Sequence, residues 1–540
     1  MKIRVYNGYS YINGYVPDMV YEEIKSYLSY LVMNHEFSEK FNNIREDGSR
    51  EWDGYLRLVW RNKNSRGDSI SFSTGLISSV IYVLKKYDID FSIEDNRERP
   101  TKALDIGLAD FIKLRPYQEY AIKKAVKTQR GIIQAATGAG KTLIAAGIMR
   151  EIGSKNQLFL AMASDLILQT KDEFEKFLTV DGKPIEVGVV GAGYCDIKDI
   201  NVVTVQTLCL ALGVKYDSVE SDGSKESSEE KQKALDNKRA IVEMVQNAEV
   251  IIFDEVQHAA CNTVKDVMKA SKKSFYRFGL SASPWRDDGA DLEIDSHFGR
   301  KHLDAEQVKK IRMRRKKDLE CLESDKGYIV SISASYLIRK KYLVQPIIYM
   351  IVMDGDYASY LSYPKVYKRY IVNNTERNNI VKGLCNAISE KEKNSVLVLV
   401  KQILHGKALE KDIEDSMFMS GKLSNKKRKK ALDALRNNEL KAAIASSIFD
   451  EGLDVKRLNC LVLAGSGKSS TRALQRIGRV IRPFDYEDGT KKEKAYVFDF
   501  IDKARYISDH SRERMKIYKE EEEFKVKIVD IDWILSHICS

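Results

Sequence analysis

Short apolar runs recur along the chain, and each ends in a polar cluster. Gly131-Ile132-Ile133 leads into Gln134-Ala135-Ala136-Thr137-Gly138-Ala139-Gly140-Lys141-Thr142. Residues 157–162 end at Ala163-Ser164-Asp165, and residues 196–205 lead to Val205-Gln206-Thr207. Val250-Ile251-Ile252-Phe253 ends in Asp254-Glu255-Val256-Gln257-His258, and Phe278-Gly279-Leu280 in Ser281-Ala282-Ser283-Pro284. Continuous apolar runs of this length are strands buried on both faces. Helical patterns such as 143–149 and 166–169 lie between them. From 131 to about 300 the alternation predicts a mostly parallel sheet with helices on both faces. Ligands of such a sheet sit at the carboxyl ends of its strands, where every polar cluster falls. A second α/β unit is predicted over roughly 378–505. Its strands are 395–400, 442–445, 460–464 and 495–500, with helices between them such as 425–437.

The flanks read differently. Residues 1–105 form a small α/β pattern. Its parts are an aromatic-rich strand region at 1–15, a helix at 20–34, a turn and strand at 51–60, a strand at 69–75 and a helix at 76–87. Trp52 and Trp60 stand beside Arg57, Arg61, Lys63 and Arg66. By residue type the tryptophans read as core and the bases as a solvated rim. Aromatics interleaved with bases can also stack on a nucleic acid. Residues 94–100 read as a charged linker, and Leu114-Arg115-Pro116-Tyr117-Gln118 opens a helix to about Gln129. Two stretches interrupt the first α/β pattern. Residues 215–238 are polar and acidic and read as a mobile surface insertion. Residues 302–326 are strongly basic and read either as a solvated helical protrusion or as a phosphate-contacting arm. The tail, 506–540, reads as helical and charged with an apolar end.

Charge and cysteine usage narrow the class. The chain has 540 residues, too many for one core, and a formal net charge of +11, which favours a polyanionic partner. No apolar run is long enough to span a bilayer and no signal-peptide pattern opens the chain, so a cytoplasmic location is expected, the host cytoplasm if the protein is phage-encoded. The seven cysteines lack metal-ligand spacing and read as reduced structural thiols.

The chemistry starts at the 134–142 turn. A strand, a glycine-bearing turn, Lys-Thr and a helix cradle a polyphosphate. Backbone N–H groups approach the phosphates, Lys141 reaches the β/γ oxygens and the Thr142 hydroxyl can hold Mg²⁺. Asp254, at the end of an apolar strand, can hold the same ion, and Glu255 can polarise the attacking water. The first unit offers no arginine for the transition-state charge. The second does, because Leu474-Gln475-Arg476-Ile477-Gly478-Arg479-Val480-Ile481-Arg482 puts Arg476, Arg479 and Arg482 on one helix face. Gln118, one element before the phosphate loop, could grip an adenine edge, although alone it reads as a surface residue. Gly465-Ser466-Gly467-Lys468-Ser469 follows a late strand without acidic partners and reads as a false phosphate loop.

In this order the motifs resemble those of the superfamily 2 helicases and translocases of the DExH type. Residues 135–142 look like motif I, 163–169 motif Ia, 254–258 motif II, 281–284 motif III, 399–407 motif IV, 445–454 motif V and 475–482 motif VI. Ala135 stands in place of the first glycine of the phosphate loop, and Ser283 where threonine is frequent. Trp52-Asp53-Gly54 with Arg57-Leu58, then Thr74-Gly75-Leu76, is similar to the UvsW-type helicases, as are Arg377-Asn378 and the run from Leu337-Ile338 to Val344-Gln345-Pro346. XPB and RecG are more distant resemblances. The implied fold is α/β, with two tandem RecA-like domains (parallel sheets with helices on both faces) plus a small N-terminal α/β domain. The implied boundaries are a DNA-binding domain at 1–105, helicase domains at 106–345 and 346–505, and a tail at 506–540. ATP would be bound by Gln118, Thr137, Gly138, Ala139, Gly140, Lys141, Thr142, Gly452, Asp454 and Gln475. Thr142 and Asp254 would hold Mg²⁺, with Lys141, Asp254, Glu255, Arg479 and Arg482 catalytic. Nucleic acid would be touched by Ser164, Gln206, Thr207, Lys401, Ser446, Trp52 and Arg57.

The resemblance implies an ATP-driven DNA helicase that remodels branched DNA by fork regression, Holliday-junction branch migration, or R-loop or D-loop unwinding, in replication, recombination or repair. It would act with little sequence preference as a monomer or weak oligomer, with RNA within hybrids as a further partner. An RNA helicase, the motor subunit of a restriction system and a binding scaffold with a regulatory ATP site are the other readings. DNA-stimulated ATP hydrolysis by the wild type and by Glu255→Gln separates the motor from the scaffold.

Overall fold

The computed structural model describes residues 1–64, 67–213, 228–286, 288–318, 320–354, 360–389, 395–421, 425–437, 439–440, 442–446, 455–465, 467 and 469–539. They divide into two compact units, one of residues 1–135 and 140–331, the other of 136–139 and 332–540.

The first unit opens with a five-stranded sheet in the order Val59–Asn64, Gly67–Ser73, Tyr9–Asn13, Lys2–Val5, Ser92–Asp95. Residues alternate between core and solvent along Lys2–Val5 and Tyr9–Asn13, as a half-covered sheet requires, whereas the edge strand Ser92–Asp95 buries none of its residues. Ile3, Val5, Ile12, Ile70 and Phe72 face inward and pack against Val20 and Ile24 of the helix Asp18–Tyr27 and Val80, Val83 and Leu84 of the helix Ile77–Lys86. The expected linker at 94–100 begins inside the sheet, because Ser92–Asp95 pairs in parallel with Lys2–Val5. The expected helix at 20–34 stops at Tyr27, and Ser29–Leu31 forms a strand against Tyr55–Arg57.

The larger sheet of this unit has eight strands; six run Val187–Gly191, Ile200–Thr204, Gln157–Ala161, Val250–Asp254, Tyr276–Ser281, Arg130–Ala135 with each of these pairs parallel, and Tyr194–Asp196 adds an antiparallel edge strand beside Val187–Gly191. The apolar runs of the sequence are these strands. On one face, residues of the helices Val205–Ala211, Ser228–Asn247, Asn262–Ala270 and Asp291–Phe298 close a core around Phe253, Val245 and Val267. Part of the stretch expected to be a polar insertion, 228–238, therefore belongs to a long helix whose apolar positions Ile241, Met244 and Val245 lie beyond it. Residues 214–227 lie outside the described residues. The basic stretch forms the helix Ala305–Lys317. Arg312 and Arg315 both bind Asp325, and Arg314 binds Glu323, so its arginines are clamped to the segment that follows.

The second unit is built on a wholly parallel seven-stranded sheet. Its order is Ser416–Met419, Ala442–Ser446, Val396–Val400, Cys460–Val462, Lys494–Ile501, Gln345–Val352, Lys525–Val529. Two strands come from outside the expected 378–505 span. The tail supplies the edge strand Lys525–Val529 and the helix Ile531–His537, whose Ile534 is wholly buried in the core. Arg377 is buried across from Asp502, donates to the Ala464 carbonyl at 3.1 Å and lies over the Phe500 ring. Arg514 bridges both oxygens of Asp499 at 2.8 Å. All seven cysteines are free thiols.

Candidate functional site

Register sets the site. Asp254 pairs with Leu280 and Ser281 with Gln134, so the strands carrying the acidic motif, the Ser281 motif and the phosphate loop end level with one another. The loop leaves Arg130–Ala135 and enters the helix Lys141–Ile152 through Gly140, at φ +79°. A Cβ at Gly140 would be strained and would stand 2.7 Å from the Gln118 side-chain nitrogen, so this turn needs glycine twice over. Gln118 is buried beside the loop, and its Oε1 accepts from the Arg115 N–H at 2.9 Å, capping the helix Pro116–Thr128. It is not the plain surface residue its side chain alone implies.

Lys141 and Glu255 meet across the strand ends. Lys141 Nζ donates to Glu255 Oε1 at 2.6 Å, in a pocket that leaves both side chains mostly buried. Gln257 Nε2 donates to Glu255 Oε2 at 2.9 Å. Ser281 Oγ donates to Gln257 Oε1 at 2.6 Å and lies 3.4 Å from Glu255 Oε2. The Ser283 N–H donates to Ser281 Oγ at 2.9 Å, so motifs II and III form one hydrogen-bonded set. Burial pushes the Glu255 carboxyl up. The Lys141 ammonium and the Gln257 amide outweigh it and hold the group below the usual carboxylate range. Glu255 also sits in the left-handed region, at φ +52°, where a non-glycine residue costs on the order of 1–3 kcal/mol. Gln257 and Ser281 were absent from the expected site residues. The signal for them was their place in clusters that follow apolar strands.

Thr142 lies in the first turn of the helix after the loop and Asp254 at the end of its strand. Among the described residues no group of three His, Cys, Asp or Glu could hold a metal by itself. One carboxylate and one hydroxyl suit Mg²⁺, which keeps waters and takes its remaining ligands from substrate phosphates.

The nucleic-acid candidates occupy strand ends as well. Ala161 pairs with Thr204, so exposed Ser164 and half-buried Gln206 follow adjacent strands. The Thr207 hydroxyl lies 2.8 Å from that of Thr204. In the second unit Val400 pairs with Ser446, so Lys401 continues the neighbouring strand. Lys401 is exposed, 3.3 Å from the Tyr363 hydroxyl, whereas Ser446 is buried. Trp52 is half-buried and donates to the Tyr55 carbonyl at 2.9 Å, and Arg57 pairs with Asp53, so these two brace their own turn. Trp60, by contrast, is 43% exposed and is not core. Gln475, Arg476 and Arg479 lie on the helix Ser470–Val480, with Arg476 buried, and Arg482 lies just past its end. Gly452 and Asp454 lie outside the described residues.

Comparison with known proteins agrees with this geometry. Residues 111–286 match the family described as "Type III restriction enzyme, res subunit", and residues 379–483 match the helicase conserved C-terminal domain. A protein of Sulfolobus islandicus filamentous virus whose name calls it a helicase is 28% identical over 77% of this chain and 69% of its own. The DNA 3'-5' translocase XPB2 of Sulfurisphaera tokodaii is 26% identical over 75% of this chain and 86% of its own. The ATP-dependent DNA helicase uvsW of Enterobacteria phage T4 is 22% identical over 96% of this chain and 98% of its own. The two domain matches cover the phosphate loop, the Asp254-Glu255 strand end and the Arg476 helix; the chain belongs to the superfamily 2 helicases and is an ATP-dependent helicase.

Proposed function

We propose that this protein is a DNA motor that couples ATP hydrolysis to the remodelling of branched DNA. The observation that carries the reading is the 2.6 Å contact of Lys141 with Glu255, because it joins a phosphate-binding cation to a candidate base at one strand end. Nucleotide binding would break this contact. Lys141 would turn to the phosphates, and Glu255, still held by Gln257, would orient the attacking water. Thr142 and Asp254 would hold Mg²⁺, which when bound neutralises phosphate charge and orients the transferred group. Ser281 touches both Glu255 and Gln257 and so would report the state of the site to motif III.

Arg479 and Arg482 would add positive charge for the transition state. Ser164, Gln206, Thr207, Lys401 and Ser446 would meet the nucleic-acid backbone, which carries no sequence information. The DNA translocase and DNA helicase named among the relatives favour DNA as the track.

The test is ATP hydrolysis by the wild type and Glu255→Gln, with and without DNA, followed by unwinding of forks, four-way junctions, R-loops, linear duplex and RNA duplex. Stimulation by DNA with preference for branched substrates is expected. Hydrolysis indifferent to every nucleic acid overturns the motor, and preference for RNA duplex overturns the substrate.

A further inference from the structure

The two helices of the N-terminal sheet cover one face only. Across the other face a lateral row runs Trp60, Ser71, Tyr11, Arg4, Glu94, each residue opposite the next on successive strands. Tyr9 stands two residues from Tyr11 on the same strand, opposite Ser73. This face carries aromatic, small polar and charged residues, with no aliphatic side chain in those rows. Trp60 is 43% and Tyr11 39% exposed; Trp60 meets Tyr9 edge to face with ring centroids 6.3 Å apart, and Tyr11 meets Tyr6 in the same way at 5.9 Å.

The face also has a wall. The end of the helix Asn262–Ala270 and the turn after it stand beside it, and together they enclose a groove of about 720 Å³ lined by Arg4, Tyr9, Tyr11, Lys269, Lys272 and Arg277 among others. No carboxylate lines the groove. The buried Asn7 lies in it, with its amide nitrogen donating to the Lys272 carbonyl at 3.1 Å and its Oδ1 without a hydrogen-bond partner. The cations lining the groove favour an anionic ligand, and the tyrosines favour one that presents flat rings. Alternate residues on a strand lie about 7 Å apart, twice the roughly 3.4 Å rise of stacked nucleotides, so Tyr9 and Tyr11 suit bases drawn apart rather than a closed duplex.

We propose that this face is a platform for single-stranded DNA, with Trp60, Tyr9 and Tyr11 stacking bases and Lys272 taking phosphates, joined by Arg4 and Lys269 as they exchange Glu94 and Asp266 for phosphate. The platform lies against the end of the Asn262–Ala270 helix, apart from the strand ends that hold Lys141 and Glu255. It rests on the nucleic-acid substrate of the proposed function but not on ATP hydrolysis.

The test uses the full chain, without nucleotide, and a fluorescent oligothymidine read by anisotropy. The Tyr11→Ala/Trp60→Ala double variant should raise Kd about tenfold or more, and Tyr11→Phe/Trp60→Phe, which keeps the rings, should not. For a blunt duplex of the same length, whose bases are already stacked, the alanine variant should bind as the wild type does. Unchanged oligothymidine affinity in the alanine variant overturns the platform. So does an equal loss for duplex, which would mean contact through charge alone. If DNA fails to stimulate ATP hydrolysis while oligothymidine binding still needs the rings, the motor falls and the platform stands.

Discussion

At the scale of single residues, Glu255 carries most of the chemistry. Its carboxylate is held by Lys141 and Gln257 and its backbone is strained, so its position is imposed by the surrounding strands. Glu255→Gln keeps the shape and the Gln257 contact but removes the base. ATP turnover should fall by about 10²-fold or more while a fluorescent ATP analogue still binds, measured by phosphate release and by titration. Gly140→Ala should act one step earlier. Its Cβ meets Gln118 in a left-handed turn, so nucleotide binding should weaken and stability should drop by about 1–2 kcal/mol, read by thermal melting with and without ATP. Gln118 shows where residue-by-residue reading stops. Its side chain favours the surface, and only the packing of two helices against the loop buries it.

At the scale of elements, the helix Asp291–Phe298 holds two buried groups that titrate in opposite senses. Burial raises Asp295 to about 7, with the Arg300 guanidinium opposing, and burial lowers His297 to about 3, with Arg277 adding to the effect. A carboxyl raised in the folded state binds more protons folded than unfolded between about pH 4 and 7, so its contribution is lost as pH rises through that window. A histidine lowered in the folded state loses stability as pH falls from about 6.5 towards 3. The first unit should therefore be most stable in mildly acid solution. Between about pH 4 and 6.5 the two slopes oppose each other, so Asp295→Asn should unmask a rise of stability with pH, as urea melts across that range would show. In the second unit, Arg377→Met leaves Asp502 buried without its partner and should cost about 3–5 kcal/mol, which a melting curve can detect. The sequence marks Arg377-Asn378 as a family feature; the structure shows that Arg377 works inside the core.

At the scale of the whole molecule, the charge of +11 bears on association with a polyanion. Binding through backbone phosphates releases counterions, so affinity should fall steeply with salt and depend little on base sequence. A log–log plot of affinity against salt for two unrelated DNA sequences should give two steep lines of equal slope. The Lys269→Glu/Lys272→Glu variant should make the slope shallower. The arginine-clamped helix Ala305–Lys317 should contribute less per residue, because Asp325 and Glu323 already hold three of its arginines.

The sequence by itself determined the two α/β units, the nucleotide loop and its acidic partner. Buried parallel strands must be continuous apolar runs, and the residues that follow them must be the ones that do the chemistry. These are local signals that survive without tertiary contacts. Only the tertiary structure decided which strands pair. Ser92–Asp95 and Lys525–Val529 are short, half-exposed edge strands, and their weak apolar pattern cannot be told from a linker or a charged tail until a neighbour is present. The structure also decided which aromatic is exposed. Trp52 and Trp60 are chemically the same, but one is tucked over its own turn while the other stands on the outer face of a sheet. Strand register settles that difference, because it sends alternate side chains to opposite faces.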